Sequence, residues 1–363
     1  MRNRFRNIRI ESWVAALLLL FPLAGSLNAK ILEDINLTGF DISRLFIYAI
    51  LALGLNVVVG FTGLLHLGIA AFFGIGAYIT GILVYEAYPF QLSFWLVLLL
   101  APLGAAAMGI VLGAPTLRLR GDYLALVTLG FGEVVRFVLR NWVQITNGTQ
   151  GLGPLPYPSI PKPLPTLLGW LNIAPEWQTD FRLFYYLNLA LLIFVFVALR
   201  RLESSRIGRA WVAVREDELA ATCMGLSATR IKLSAFALGA ALAGLAGCLY
   251  VTTFTNTSNP DTTYNFNTSV TILCCLILGG LGSLRGAVLG VFLLYGFESI
   301  LMPQIDQWIQ RWIQNVGWSG DNRFLVFSNW KYMLYGLALI LMMRFRPEGL
   351  FPSRRIQEEL HSG

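Results

Sequence analysis

Charge is what this sequence has least of. Only 13% of its 363 residues are Asp, Glu, Lys or Arg, about half the share of an ordinary soluble domain. That shortage excludes a water-facing globule of this size, which would need far more charge to coat its surface. Histidine is almost absent, with two in all, one of them in the C-terminal tail. The four cysteines, Cys223, Cys248, Cys274 and Cys275, show neither metal-ligand spacing nor a disulfide framework, so they are expected to be reduced packing residues. No paired catalytic carboxylates and no nucleophile motif occur, which argues against an enzyme. No G-x-x-x-x-G-K-[ST] phosphate loop occurs either, so the chain is expected to bind no ATP, metal or other cofactor itself.

What remains is apolar. Hydrophobic residues make up 56% of the chain, mean hydropathy is +0.64, and apolar stretches recur from end to end. The pattern predicts an all-α polytopic membrane protein, because only helices satisfy their own backbone groups in lipid at this length. Ten spans are expected, near 13–29, 45–61, 64–84, 93–114, 122–142, 183–200, 232–254, 268–283, 287–302 and 330–345. The first follows Arg2, Arg4, Arg6 and Arg9 and is expected to be an uncleaved helix rather than a signal peptide. With both termini in the cytoplasm, 18 of the 27 Lys and Arg fall in cytoplasmic segments, as the positive-inside rule requires. The net charge of +7 is therefore read as loop asymmetry, not as a nucleic-acid surface. The chain reads as one transmembrane domain, with outer loops at 143–181 and 303–329 and a cytoplasmic segment at 201–231.

Glycine, by contrast, is abundant, at 35 residues. Gly282, Gly286 and Gly290 recur every fourth residue, and Ala240 pairs with Gly244 and Ala243 with Gly247 at the same spacing. Small residues at this spacing predict helices packed backbone to backbone.

The cytoplasmic segment is the most informative stretch. Ile207, Trp211, Val214 and Leu219 recur at helical spacing, and Arg206, Arg209, Arg215, Glu216, Asp217 and Glu218 fill the polar face. An amphipathic helix too polar to span, held between two spans, predicts either a coupling element for a soluble partner or a surface-lying helix. Gly225 is expected to end it and Ser227 to restart structure.

Here the residues resemble a known family. Ala220, Ala221 and Gly225 keep the spacing of the E-A-A-x-x-x-G coupling signature of ABC importer permeases, although Leu219 stands where the glutamate belongs and Glu218 lies one position early. The blocks GLNVVVGFTGLLHLGIAAFFGIGAY (54–78), PTLRLRGDYLALVTLGFGEVVRFVL (115–139), NGTQGL (147–152), 205–247, LGGLGSLRGAVLG (278–290) and FRPEGLF (345–351) look like branched-chain amino-acid ABC permeases of the LivHM family, in particular the LivM-type subunit. The resemblance implies a bacterial inner-membrane importer subunit in which Arg209, Arg215, Glu216, Asp217, Glu218, Ala220, Ala221 and Gly225 serve coupling. It implies a second homologous permease, two cytoplasmic ATPase subunits that hold the ATP and Mg, and a periplasmic solute-binding protein.

Polar groups inside spans are costly and so become candidates for a translocation pathway. With the glycines beside them, these are Asn56, His66, Gly68, Thr128, Gly130, Glu133 and Arg136. Glu133 and Arg136, three apart, are expected to pair, either as a structural ion pair or as a contact for a zwitterion. Branched-chain or other neutral amino acids fit as solutes, with urea or short amides as the alternative within the family. An ion-coupled secondary transporter is the rival of a different class.

Overall fold

The structure, a computed structural model, describes residues 39–116, 121–158, 181–316, 326–346 and 349–351. Among these residues the chain is helical, with no strand. The predicted span 13–29 lies outside the described residues, as do 159–180 within the first outer loop.

Nine rods run between two ends of a bundle among the described residues. The helix α1, Gly39–Leu55, continues through a π-helical stretch, Asn56–Phe61. Then come α2, Ile69–Val84; α3, Phe94–Thr116; α4, Asp122–Asn141; and α5, Phe181–Glu203. Two short polar helices follow, α6, Arg206–Glu216, and α7, Glu218–Cys223. The long central helix α8, Ala228–Phe254, leads to α9, Phe266–Gly279. The helix α10, Leu284–Gly290, widens into π-helical turns and runs on into α11, Met302–Val316, as one rod. The last rod is α12, Lys331–Phe345. Five of these rods are long and apolar enough to cross a membrane, namely Phe40–Phe61, Phe94–Thr116, Arg182–Glu203, Ala228–Phe254 and Leu284–Ile313. Helix α4, with Glu133, Arg136 and Arg140, is not among them.

Two sequence expectations change shape. The second outer loop, 303–329, begins as helix, because Ile305, Trp308, Ile309, Trp312 and Ile313 keep helical spacing beyond the apolar run. Gly282 does not stand on a helical ladder with Gly286 and Gly290. It lies in the turn before α10 with φ +73°, and Ser283 caps the helix by accepting the Gly286 amide. The four-residue spacing held while the backbone did not, because an N-cap residue between them starts the helix one turn later.

Helix α8 is the core of the bundle. Its small residues let α2 and α3 close on it: a Cβ on Gly244 would overlap Ala105, and one on Gly247 would overlap the Phe73 carbonyl. In α10, Cβ atoms on Gly286 and Gly290 would overlap the carbonyls of Gly279 and Cys275 in α9. Such approach gains van der Waals contact where lipid supplies no hydrophobic drive between helices. Outward faces carry Leu99, Leu103 and Val111 of α3, Phe194 of α5, and Ile340 and Met343 of α12, all exposed. An apolar exterior around a glycine-packed interior is what lipid demands.

Hydrogen bonds tie each end together. At the near end, Leu350 and Phe351 donate to the carbonyls of Leu278 and Gly279, both at 3.0 Å, beside the turns that follow α1 and α9. At the far end, the Leu155 amide bonds the Thr255 carbonyl, the Thr257 amide bonds the Leu152 carbonyl, and the Tyr88 hydroxyl donates to the Ile145 carbonyl.

Candidate functional site

The segment between α5 and α8 folds against the near end. Ser205 accepts the Gly208 amide and starts α6. The single amphipathic helix expected around 207–225 is instead two helices, because Asp217 leaves helical geometry and caps α7, its carboxylate accepting the amides of Leu219 and Ala220. A short acceptor side chain at that position favours a new helix start over continuation. Gly225 follows α7 with φ +85° and open space around it.

Two aromatic and ionic clamps hold the pair of helices. The Trp211 indole is buried, donates to the Ile231 carbonyl and the Ser234 hydroxyl at 3.1 and 2.9 Å, and stacks on Phe61. Lys232 bonds Glu218 at 2.7 Å. Asp217 and Glu218 are thus occupied inside this unit, while Arg209, Glu216 and Ala220 lie exposed and Ala221 is buried. Leu219 and Met224 project outward, 75% and 84% exposed. Sequence reasoning placed Leu219 on one apolar face with Ile207, Trp211 and Val214. The break at Asp217 turns it out.

Arg215, one turn beyond Trp211 on α6, reaches the bundle. Its guanidinium donates to the Gly60 carbonyl and its stem lies against Gly63. Gly60 in turn meets Gly282, whose amide donates to Asn56 Oδ1 at 2.9 Å. Asn56 is fully buried, and its Nδ2 has no hydrogen-bond partner.

The candidate pathway residues fall into separate places. Asn56 belongs to the seam just described. His66, Gly68 and Thr128 come together where the stretch before α2 crosses α4: the Leu67 amide donates to Thr128 Oγ1 at 3.1 Å, and a Cβ on Gly68 would overlap the Thr128 carbonyl. The His66 ring packs edge-on to Phe236 at 4.7 Å and near Phe72, and its Nδ1 has no hydrogen-bond partner. Gly130 faces outward with nothing near it.

Glu133 and Arg136 pair at 2.7 Å, yet Arg136 also binds Asp261, which Arg140 approaches at 3.4 Å. Asp261 sits in the short helix Pro260–Thr263, capped by Asn259. Sequence reasoning missed it because it lies 125 residues from Arg136. The run Asn259-Pro260-Asp261, a cap followed by proline, was the available signal for an ordered acidic turn. A second polar knot joins Glu298 to Lys331 at 2.9 Å and to the Tyr335 hydroxyl. Among the described residues no group of His, Cys, Asp and Glu could hold a metal ion.

Residues 40–343 match the family described as "Branched-chain amino acid transport system / permease component". The chain is 39% identical to the high-affinity branched-chain amino acid transport system permease protein LivM of Escherichia coli K12, over 89% of this chain and 72% of that protein. It is equally similar, at 39%, to LivM of Salmonella typhimurium, over 87% of this chain and 70% of that one. The LivH permease of Salmonella typhimurium is 25% identical over 70% of this chain and 81% of its own length. No solved structure matches the chain.

Proposed function

The chain belongs to the family of branched-chain amino acid transport permease components, and from that premise we propose that it is one membrane-spanning half of a binding-protein-dependent importer driven by ATP. Its solute is a branched-chain or other neutral amino acid, the class that the names of its LivM and LivH relatives carry. A second, homologous permease completes the channel, and the similarity of this one chain to both LivM and LivH proteins supports such a pair. ATP and Mg are held by two cytoplasmic ATPase subunits, and a periplasmic binding protein delivers the solute at the far end. In this reading the chain crosses the inner membrane ten times, with both termini in the cytoplasm and the near end inside.

The observation that carries the proposal is the α6–α7 unit. It is polar, it is clamped to the near end by Trp211 and Lys232, and it still exposes Leu219 and Met224. Exposed apolar side chains on a rigid polar element fit an ATPase surface better than bulk water. ATP binding draws the two ATPases together, α6–α7 moves with them, and the near end closes while the far end opens to the binding protein. Hydrolysis reverses the movement. His66, Thr128 and the Glu133–Arg136 pair, which Asp261 joins, are taken as the polar stations of the pathway, with Gly68 keeping the backbone close to Thr128.

The test is uptake of radiolabelled L-leucine by membrane vesicles holding the assembled complex and its binding protein. Uptake that requires hydrolysable ATP is expected. Uptake driven by an ion gradient with no ATP would overturn the proposal in favour of a secondary transporter.

A further inference from the structure

The two glycine turns of the near end meet backbone to backbone, and one side chain from α6 touches both. The π-helical stretch Asn56–Phe61 is where this begins. In an α-helix the Gly60 carbonyl would accept the amide four residues on. Here the Leu64 amide and the Thr62 hydroxyl both turn back to the Val58 carbonyl. The Gly60 carbonyl is left for an outside donor, and Arg215 supplies it. Single π-helical turns are rare and recur at functional sites.

Arg215 is fitted to this place along its whole length. A Cβ on Gly63 would stand 3.0 Å from Arg215 Cγ, and one on Gly282 would stand 3.6 Å from Arg215 Nη1. Both glycines have positive φ, +69° and +73°, so the turns that make room for the arginine are conformations that other residues rarely adopt. Below the guanidinium, Gly282 and Gly60 are in direct backbone approach, and the Gly282 amide is held by Asn56. Trp211, four residues earlier on the same face of α6, is locked to the start of α8. Trp211 is placed as a pivot and Arg215 as the arm beyond it. The arginine also keeps an exposed surface, so it lies between whatever docks on α6–α7 and the seam.

We infer that Arg215 is the positioning residue that carries displacement of α6–α7 into the seam between the turns at 60–63 and 280–283, so that the seam parts only when α6 moves. The inference rests on the importer reading above. Without Arg215, ATP is still hydrolysed by the partners, but the stroke no longer reaches the channel.

The experiment uses the whole complex, reconstituted with its ATPases and binding protein, and measures L-leucine uptake and ATP hydrolysis together. With Arg215→Ala, uptake per ATP is expected to fall about tenfold, the scale of one lost charge-assisted hydrogen bond, while assembly and hydrolysis stay near wild type. Arg215→Lys, which keeps one donor for the Gly60 carbonyl, restores part of the ratio. Asn56→Ala lies off α6 and lowers the same ratio by loosening the seam. A merely structural role for Arg215 would lower uptake and hydrolysis in step, and that outcome overturns the inference, as does an unchanged ratio. Should Arg215→Ala fail to assemble, Arg215→Lys and Asn56→Ala decide it, and a wild-type ratio in both is contrary. A wild-type complex without ATP-driven leucine uptake would instead overturn the reading of function itself.

Discussion

Arg136 of α4 binds two carboxylates from different parts of the chain, Glu133 one turn away and Asp261 at the far-end connection between α8 and α9. It therefore helps fasten α4 to the bundle, since half of that helix's apolar residues, Tyr123, Leu126, Val134 and Phe137 among them, point outward.

Removing Arg136 strands Glu133 and leaves Asp261 with Arg140 at 3.4 Å, whereas removing Glu133 leaves Arg136 bound to Asp261. Arg136→Gln is expected to destabilise by about 1–2 kcal/mol, and Glu133→Gln by less than about 1 kcal/mol, given that these side chains are partly solvated. Thermal unfolding in detergent measures both. Equal losses would mean that Asp261 contributes nothing and that Glu133 and Arg136 form the isolated pair expected from sequence spacing.

Glycines separate by what their missing side chain faces. A Cβ on Gly76 would overlap the Gly244 backbone, whereas one on Gly130 meets nothing. Gly76→Ala is expected to cost about 1–3 kcal/mol through overpacking. Gly130→Ala gains up to about 1 kcal/mol from helix propensity. The same thermal measurement checks them, and a destabilised Gly130→Ala would mean that its outward face is closed by a partner rather than by lipid.

Leu219 and Met224 are the exposed apolar residues on α7 and just after it. Leu219→Asp and Met224→Asp are expected to leave folding within about 0.5 kcal/mol of wild type, as exposed substitutions do. Both are expected to abolish retention of the ATPase subunits and ATP-driven uptake. Co-purified ATPase per permease is the readout, and full retention in both variants would place the docking surface elsewhere.

Trp211 anchors α6 through its one indole N–H, shared between the Ile231 carbonyl and the Ser234 hydroxyl, and through its buried ring. Trp211→Phe is expected to cost about 1 kcal/mol for the lost hydrogen bonds, and Trp211→Ala about 3–5 kcal/mol for the ring as well. Limited proteolysis across 203–227 reports the loosening, and cleavage rates equal to wild type in Trp211→Ala would contradict the clamp.

The helices were legible because hydropathy is read locally, residue by residue along a rod. The same holds for Gly286 and Gly290, whose spacing on α10 survives folding. Gly282 was misplaced because spacing alone does not mark where a helix begins, and Ser283 does. Asp217 broke the α6–α7 stretch for the same reason: a charged residue on a polar face and an N-cap look alike until the backbone is known. Asp261 beside Arg136, and Gly282 on Asn56, join positions 125 and 226 residues apart. Nothing in one sequence records such pairings. The π-helical turn that frees the Gly60 carbonyl has no compositional signature, so the place that Arg215 occupies was visible only in three dimensions.

The most direct test of the account is purification of the tagged chain from its native membrane in mild detergent, with mass spectrometry of what accompanies it. The account predicts one homologous permease and two ATPase subunits per chain. A chain recovered alone or as a homo-oligomer, still competent for leucine uptake, would contradict it.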